Sequence, residues 1–398
     1  MPFLDIHILQ NVPPSNINRD QDGSPKSARF GGVKRARVSS QAWKRAARTA
    51  FEADPVLAGE DALRTRQLPQ VIADRLAQRV PALAGRADAV GMAAATAMFK
   101  VAAKKPDTKA KKTQDEGEET GTGRPVTEYL LFLGSTQIDR VVDALAAQAD
   151  ALAAATDTAL PKALEPLDLR SLAVSGHPGA VALFGRMVAN SPDTGVDAGC
   201  QVAHALSTHQ TVTEFDYFTA VDDQPQDDNK GAGMIGSLEF NSATLYRYAT
   251  LDLRTLHANL DGQHNNTLKT ALGFVRAFAT SMPTGKANTF AHHTRPDVII
   301  LTLREDRPVS HVSAFERPVT AETGGYLAAS AMALFQHIAD QNTQWDDTPR
   351  WTAAVYPPTL TKPTTGKSVL PERHTWKEAL DQAEQQLTAV LAEAARAA

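Results

Sequence analysis

Phe30-Gly31-Gly32-Val33-Lys34-Arg35-Ala36-Arg37-Val38-Ser39-Ser40-Gln41-Ala42-Trp43-Lys44-Arg45 joins a turn signal, an extended run and a helix start in one short stretch. The glycine pair permits a sharp turn or a close backbone approach. Val38 to Gln41 reads as the end of an extended segment with a serine N-cap, and Ala42 to Glu52 is a run of helix formers. At about 100° per residue, Gln41, Lys44, Arg45 and Arg48 share one helix face and Trp43, Ala46, Ala47, Ala50 and Phe51 the other. The second face demands a core. The first combines helix amides, an amide side chain and three cations, a set suited to polynucleotide phosphates.

Working outward, residues 19–48 hold Arg19, Lys26, Arg29, Lys34, Arg35, Arg37, Lys44, Arg45 and Arg48 against only Asp20 and Asp22, in a chain whose formal net charge is -4. An acidic protein has no bulk attraction for polyanions, so a cationic strip marks a dedicated phosphate-facing surface. The chain has 398 residues, 42% of them hydrophobic, enough for a large core and two or three domains. Its single cysteine, Cys200, excludes an internal disulfide framework or a thiolate zinc cluster and fits a reducing compartment. No basic leader precedes a long apolar run, and no span of about 20 apolar residues occurs, so the expectation is a cytoplasmic protein outside the membrane.

Leu4, Ile6 and Ile8 alternate with Asp5 and His7, predicting a strand over 3–9. Residues 57–99 carry helical spacing through Leu68, Val71, Ile72, Leu76 and Val80, and 104–124 read as a mobile charged loop. A strand or helix start is expected over 126–133 and a helix over 138–155. Ala180 to Met187 reads as a buried strand that delivers Arg186 at its end, and 197–209 as a helix. Residues 211–222 and 237–253 predict two strands flanking a polar loop, a projecting hairpin. Helices are expected over 267–282, 326–341 and 376–397, with a strand over 297–303. Strands spread along the chain and separated by helices give an α+β fold with one sheet.

Several motifs fail on context. Gly231-Ala232-Gly233-Met234-Ile235-Gly236 has the dinucleotide-binding glycines, but a polar segment precedes it where a buried strand is required, and a strand follows where a helix is required. His204 and His209 are wrongly spaced for a metallopeptidase helix, and Asp222-Asp223 with Asp227-Asp228 form a local acidic loop without distant partners. No nucleophile, base and acid are brought together by spacing, so neither metal, cofactor nor catalytic residue is expected.

Taken in order, His7, Asn18-Arg19-Asp20, Phe30-Gly31-Gly32, Arg37 to Gln41 and Lys44-Arg45 resemble the start of the CasC (Cse-type) backbone subunit of the type I-E CRISPR surveillance complex, Cascade. The likeness continues through Gly185-Arg186-Met187, Ala203-His204-Ala205, Thr208-His209-Gln210, Phe218 to Asp223 and Tyr246-Arg247-Tyr248-Ala249. It spans residues 3 to about 320 and weakens in the helical insertion and the C-terminal quarter.

That resemblance implies a hand-shaped protein: a palm related to the RNA-recognition-motif (ferredoxin-like) fold, helical fingers and a β-hairpin thumb. The palm would comprise 1–57, 179–210 and 242–398, the fingers 58–178 and the thumb 211–241. Several copies, six in the family's typical assembly, would polymerise along one CRISPR RNA beside other Cascade subunits and hold it for pairing with a target DNA strand. Lys26, Ser40, Gln41, Lys44 and Arg48 would bind phosphate or sugar; Met187 and the Tyr217-Phe218 region would separate or displace a base. Arg19, from the cationic strip, and Arg186 complete the expected RNA-binding set. The expected role is non-catalytic. The alternative is an endoribonuclease that processes the CRISPR transcript, with His7 as its base.

Overall fold

The computed structural model describes residues 1–100, 103–104, 124, 126–220, 234–321, 324–360 and 369–397. In chain order, β1 (Phe3–Ser15), β2 (Ser27–Phe30), β3 (Val33–Val38) and α1 (Ser40–Glu52) come first. Next are β4 (Ala62–Thr65), α2 (Leu68–Arg79), α3 (Ala87–Phe99), β5 (Ala103–Lys104), β6 (Val126–Thr127), β7 (Leu131–Gly134) and α4 (Ser135–Ala146). Short helices α5 (Ala149–Ala154), α6 (Leu160–Leu164), α7 (Leu169–Val174) and α8 (Gly179–Phe184) precede β8 (Cys200–Val202), β9 (Ala205–Ser207), β10 (Glu214–Ala220) and β11 (Met234–Asp252). The remaining elements are α9 (Leu253–Asn259), α10 (His264–Thr280), α11 (Ala287–Phe290), β12 (Val298–Arg304), α12 (Leu327–Gln344), β13 (Trp351–Val355) and α13 (Trp376–Ala397). They pack as two units: Met1–Phe51 with Cys200–Arg254 and Ala271–Ala398, and Glu52–Gly199 with Thr255–Thr270.

The first unit is built on an antiparallel sheet of order β13-β12-β1-β11-β9-β3-β2, with β8 and β10 also pairing to β11. Both faces of its centre are buried. Leu4, Ile6 and Ile8 of β1 and Leu245, Ala249 and Leu251 of β11 alternate with Asp5, His7, Tyr246 and Tyr248, and all are at most 8% exposed. On the first face, Arg247 lies 3.7 Å from the Trp43 ring centroid and 4.6 Å from that of Phe278. Its guanidinium donates to Gln10 Oε1 at 2.6 Å and to the Phe278 carbonyl. Burial lowers the Arg247 pKa to about 9, so the group remains a cation at neutral pH.

The second face is covered by the loop that follows β12 and by α12. Its apolar part includes Leu9, Ile300, Phe315, Leu334 and Phe335. Its polar part is a hydrogen-bonded network. The Tyr248 hydroxyl donates to Asp5 Oδ1 at 2.9 Å, and Val309 N–H donates to Asp5 Oδ2 at 2.9 Å. The Tyr246 hydroxyl accepts from His311 N–H at 2.9 Å and lies 2.9 Å from His7 Nδ1. Burial raises the Asp5 pKa to about 6 despite Arg304 at 3.4 Å, and burial with Arg304 and His337 lowers that of His311 to about 3. His7 is held neutral by burial, with His311 and Arg304 adding to the effect.

In the second unit, α2, α3, α4 and the short helices surround a core of Leu68, Ile72, Leu76, Val90, Phe99, Ile138, Val142 and Leu145. Two small strand pairs complete it, β4 with β7 and β5 with β6. The Gln137 side chain donates to the Ala173 and Ser175 carbonyls, each at 2.9 Å, and its Oε1 accepts from Gly134 N–H.

The α+β class and the terminal helix over 376–397 match expectation. Three expectations are corrected. Residues 180–187 are a helix ending at Phe184 and a following loop, not a strand, because the small and apolar run is too short to distinguish the two by pattern. Residues 197–209 are two short strands and not a helix, since β11 offers them a pairing edge that outweighs alanine propensity. Small strand pairs also stand apart from the main sheet. Division by packing runs at 51/52, 199/200, 254/255 and 270/271, so 179–199 and 255–270 group with the helical unit. The expected mobile stretch at 104–124 lies almost wholly outside the described residues.

The buried network predicts a pH dependence of stability. His7 and His311 have folded pKa values below 6.5, so their contribution is present above that value and is lost as pH falls below it, for His311 down to about 3. Asp5, raised from 3.8 to about 6, acts oppositely, favouring the fold below 3.8 and losing that advantage as pH rises through about 6. Two groups outweigh one: the thermal midpoint should fall from pH 7 to pH 5, and His311→Leu should flatten the profile by up to about 1.4 kcal/mol per pH unit. Parallel profiles for the two proteins would show that the buried imidazole is not responsible.

Candidate nucleic-acid interface

The deciding stretch folds as read. Phe30 pairs with Val33 across a two-residue turn whose Gly31 and Gly32 have φ of 60° and 79°. At Gly31 a Cβ would lie 1.6 Å from the Glu316 carbonyl oxygen, so no side chain fits there. β3 ends at Val38, and Ser39 caps α1: its Oγ accepts from Ala42 N–H at 3.4 Å and its carbonyl from Trp43 N–H at 3.2 Å. Trp43, Ala47 and Phe51 are fully buried, while Gln41 and Arg45 are exposed and Lys44 and Arg48 half-buried.

Around the α1 N-terminus the chain brings distant groups together. Asn18 Oδ1 accepts from Ser39 N–H at 2.9 Å, and the Asn18 carbonyl from Lys26 N–H at 2.9 Å. His204 Nδ1 accepts from Ser40 N–H at 3.3 Å and from the Arg37 guanidinium at 3.4 Å. Those two donors place the imidazole proton on Nε2. Burial, then Arg37 and Lys26, lower the His204 pKa and keep the ring neutral. Lys26, Arg37, Ser40 and His204 thus form one donor-rich corner beside the helix amides. A shallow pocket adjoins it, lined by Ser15, Ile17, Asn18, Lys26, Arg37 and Asn241 among others. Such a corner, with several donors and no carboxylate among the groups just named, has the chemistry to hold anionic oxygens such as those of phosphate.

Not every strip cation serves this surface. Arg35 is fully buried, donating to the Ser207, Thr208 and Phe315 carbonyls at 3.0, 2.7 and 2.7 Å. Lys34 is engaged at the root of the hairpin, where its Nζ lies 3.5 Å from Thr213 Oγ1 and its carbonyl accepts from Thr211 N–H. Arg19 lies in the loop closed by the Arg19–Pro25 bridge.

The projecting hairpin pairs β10 with the first residues of β11. Phe215 and Tyr217 share one face at 69% and 66% exposure. Phe218 lies on the other, over Gly236, where a Cβ would come within 2.4 Å of its ring. Asp222, Asp223, Asp227, Asp228 and the glycines at 231 and 233 lie outside the described residues.

Arg186 and Met187 belong to the second unit and behave oppositely. Arg186, expected at the RNA surface, is 4% exposed; it donates to the Thr194 carbonyl at 2.9 Å and the Ala173 carbonyl at 3.2 Å and lies over the Phe99 ring. Burial lowers its pKa to about 10. It is an internal clamp that fixes the loop presenting Met187, which is 89% exposed. Sequence reading placed Arg37 in the cationic strip but did not single out Arg37 or His204 as candidate site residues. The motif Ala203-His204-Ala205 pointed at the latter, but its proximity to Ser40 is a tertiary fact.

Residues 4–382 match the CT1975-like protein family. The chain belongs to that family. Among solved structures it is similar to a chain described as "CRISPR RNA-guided surveillance complex, pre-nicking", at 33% identity and a TM-score of 0.78, covering 97% of this chain and 100% of that one. A second similar chain, "CRISPR RNA-guided surveillance complex", shares 26% identity with a TM-score of 0.59 over 96% and 99% of the two chains. No curated protein matches. These matches agree with the resemblance to a subunit of a CRISPR surveillance complex. Among the described residues no helix is long and apolar enough to cross a membrane.

Arg186→Ala should destabilise the protein by about 3 kcal/mol, since it leaves a cavity and unsatisfied carbonyls, whereas Met187→Ala should change the unfolding midpoint little. Equal effects on chemical denaturation would contradict the clamp.

Proposed function

We propose that this protein is the non-catalytic, RNA-binding backbone subunit of a type I-E Cascade complex in antiviral defence, copies of which assemble along a CRISPR RNA in the cytoplasm. The observation that carries this reading is the likeness of the whole chain to a subunit of an RNA-guided surveillance complex, joined to a cationic α1 face with the Lys26–Arg37–Ser40–His204 corner at its end. Lys26, Ser40, Gln41, Lys44 and Arg48 grip phosphates and riboses, with Arg19 beside them. Gripping the backbone leaves base edges free to pair with a target DNA strand, as a subunit that must accept any spacer requires. The sheet unit serves as an RNA-recognition-motif-like palm, the helical unit as fingers and the β10–β11 hairpin as a thumb. Tyr217, Phe218 and Met187 are its apolar wedges against bases. A thumb that reaches the adjacent copy supplies the heterologous, non-closing contact that a filament needs, beside contacts to other Cascade subunits.

The endoribonuclease alternative loses support from His7. Its ring is fully buried, within 5.1 Å of the Tyr248 ring centroid and held neutral, so it does not meet an RNA strand from solvent.

Lys44→Ala with Arg48→Ala should weaken RNA binding by about tenfold or more at low salt, to similar extents for unrelated spacer sequences, and make the salt dependence shallower. Fluorescence anisotropy over a salt series measures this. A loss confined to one RNA sequence would point to base readout and against a backbone-gripping subunit.

A further inference from the structure

The segment between α10 and β12 carries features that the interface described above does not use. Lys286 and Ala291, which flank α11, both have left-handed backbone conformations, with φ of 53° and 46°. Neither is glycine, and such residues are retained where the surroundings over-determine the conformation. The surroundings do so here. At Gly285 a Cβ would lie 2.4 Å from the Ile17 carbonyl oxygen, so this loop is pressed onto the exit of β1. His292 is fully buried with Nε2 3.1 Å from the Pro283 carbonyl, closing the loop on itself. The Thr294 hydroxyl donates to the Asn11 carbonyl at 2.6 Å, and its own carbonyl accepts from Gln10 Nε2 at 2.8 Å. The Phe290 ring packs 5.8 Å from that of Phe240, at the root of the hairpin.

This rigid loop presents cations. Lys286 is half-buried and Arg295 exposed, and among the described residues neither has an ion-pair partner. Its position is informative. Ile17, against which Gly285 is pressed, lines the pocket shared with Lys26 and Arg37. The neighbouring Asn16 donates to the Gly23 and Glu239 carbonyls, each at 2.9 Å, tying the same stretch to the basic loop and to the hairpin strand. The donor-rich corner and the 283–295 loop therefore both contact one short segment, residues 16–18.

We infer that Lys286, with Arg295, forms a second phosphodiester-binding wall that continues the backbone track from the Lys26–Ser40 corner past the root of the hairpin. The inference rests on the RNA-binding reading above. A lysine immediately after a glycine, in a conformation that glycine adopts at less cost, is explained by its charge and not by its backbone. A pre-ordered loop also loses little freedom on binding, which suits a contact repeated in every copy.

The deciding variant is Lys286→Gly, which relieves the backbone and removes the charge. It should leave the unfolding midpoint unchanged or raised, weaken RNA binding about three- to tenfold at low salt, and reduce the magnitude of the salt slope by about 0.7, the value for one single-strand phosphate. Lys286→Arg should retain most binding. Anisotropy is measured with guide RNA alone and with the same RNA paired to complementary DNA: loss in the first arm assigns the wall to the guide, loss only in the second to the target strand. Unchanged binding in both arms, with Lys44→Ala impaired in parallel, overturns the wall while the RNA reading stands. Self-association lost with RNA affinity intact also overturns it, in favour of a contact between copies. If the unaltered protein and Lys44→Ala bind RNA equally, the underlying reading fails together with the wall.

Discussion

The Arg247 guanidinium, held between the Trp43 and Phe278 rings and bonded to Gln10, joins β11, α1, α10 and β1 at a single buried point. Burying a cation is costly unless aromatic faces and hydrogen-bond acceptors compensate, and this one has both kinds of partner, two rings and the acceptors on Gln10 and Phe278. The consequence is directional. With Trp43 fixed against Arg247, helix α1 cannot roll about its axis without breaking the stack, so Gln41, Lys44, Arg45 and Arg48 are obliged to face away from the sheet. The charge pattern of one helix becomes a surface because an arginine on another element locks its apolar side.

The same use of arginine recurs. Arg35 gathers carbonyls from the β9 end and from the loop after β12, and Arg186 gathers carbonyls around the loop that carries Met187. In each case a guanidinium supplies several donors to backbone oxygens that regular structure leaves unpaired. The outward-facing cations are then a subset of the total. In a chain with net charge -4, the cationic strip over residues 19–48 stands out against an acidic total.

The hairpin and the α1 corner illustrate two levels of legibility. Alternation in Glu214 to Ala220 and in the first half of β11 made the hairpin readable, and the exposed Phe215 and Tyr217 follow from that alternation. The corner was half readable. Lys26, Ser40, Gln41, Lys44 and Arg48 came from local charge, capping and family likeness, whereas Arg37 as a ligand for His204 did not, because 167 residues separate the two. Residues 180–187 and 197–209 were misread for a related reason: short apolar or alanine-rich runs carry no periodicity long enough to choose between helix and strand, and the free edge of β11 settles the second of them.

By itself, the sequence determined the glycine turn, the Ser39 cap, the two-faced helix, the alternating strand at 3–9, the α+β class and the family. Each depends on neighbours within a turn or a strand, or on an ordered set of motifs. Only the tertiary structure decided which cations face outward and which are internal. Arg35, Arg186 and Arg247 have the same side-chain chemistry as Arg48; what distinguishes them is whether distant carbonyls and aromatic rings converge around the guanidinium. That convergence is non-local, and local pattern holds no record of it.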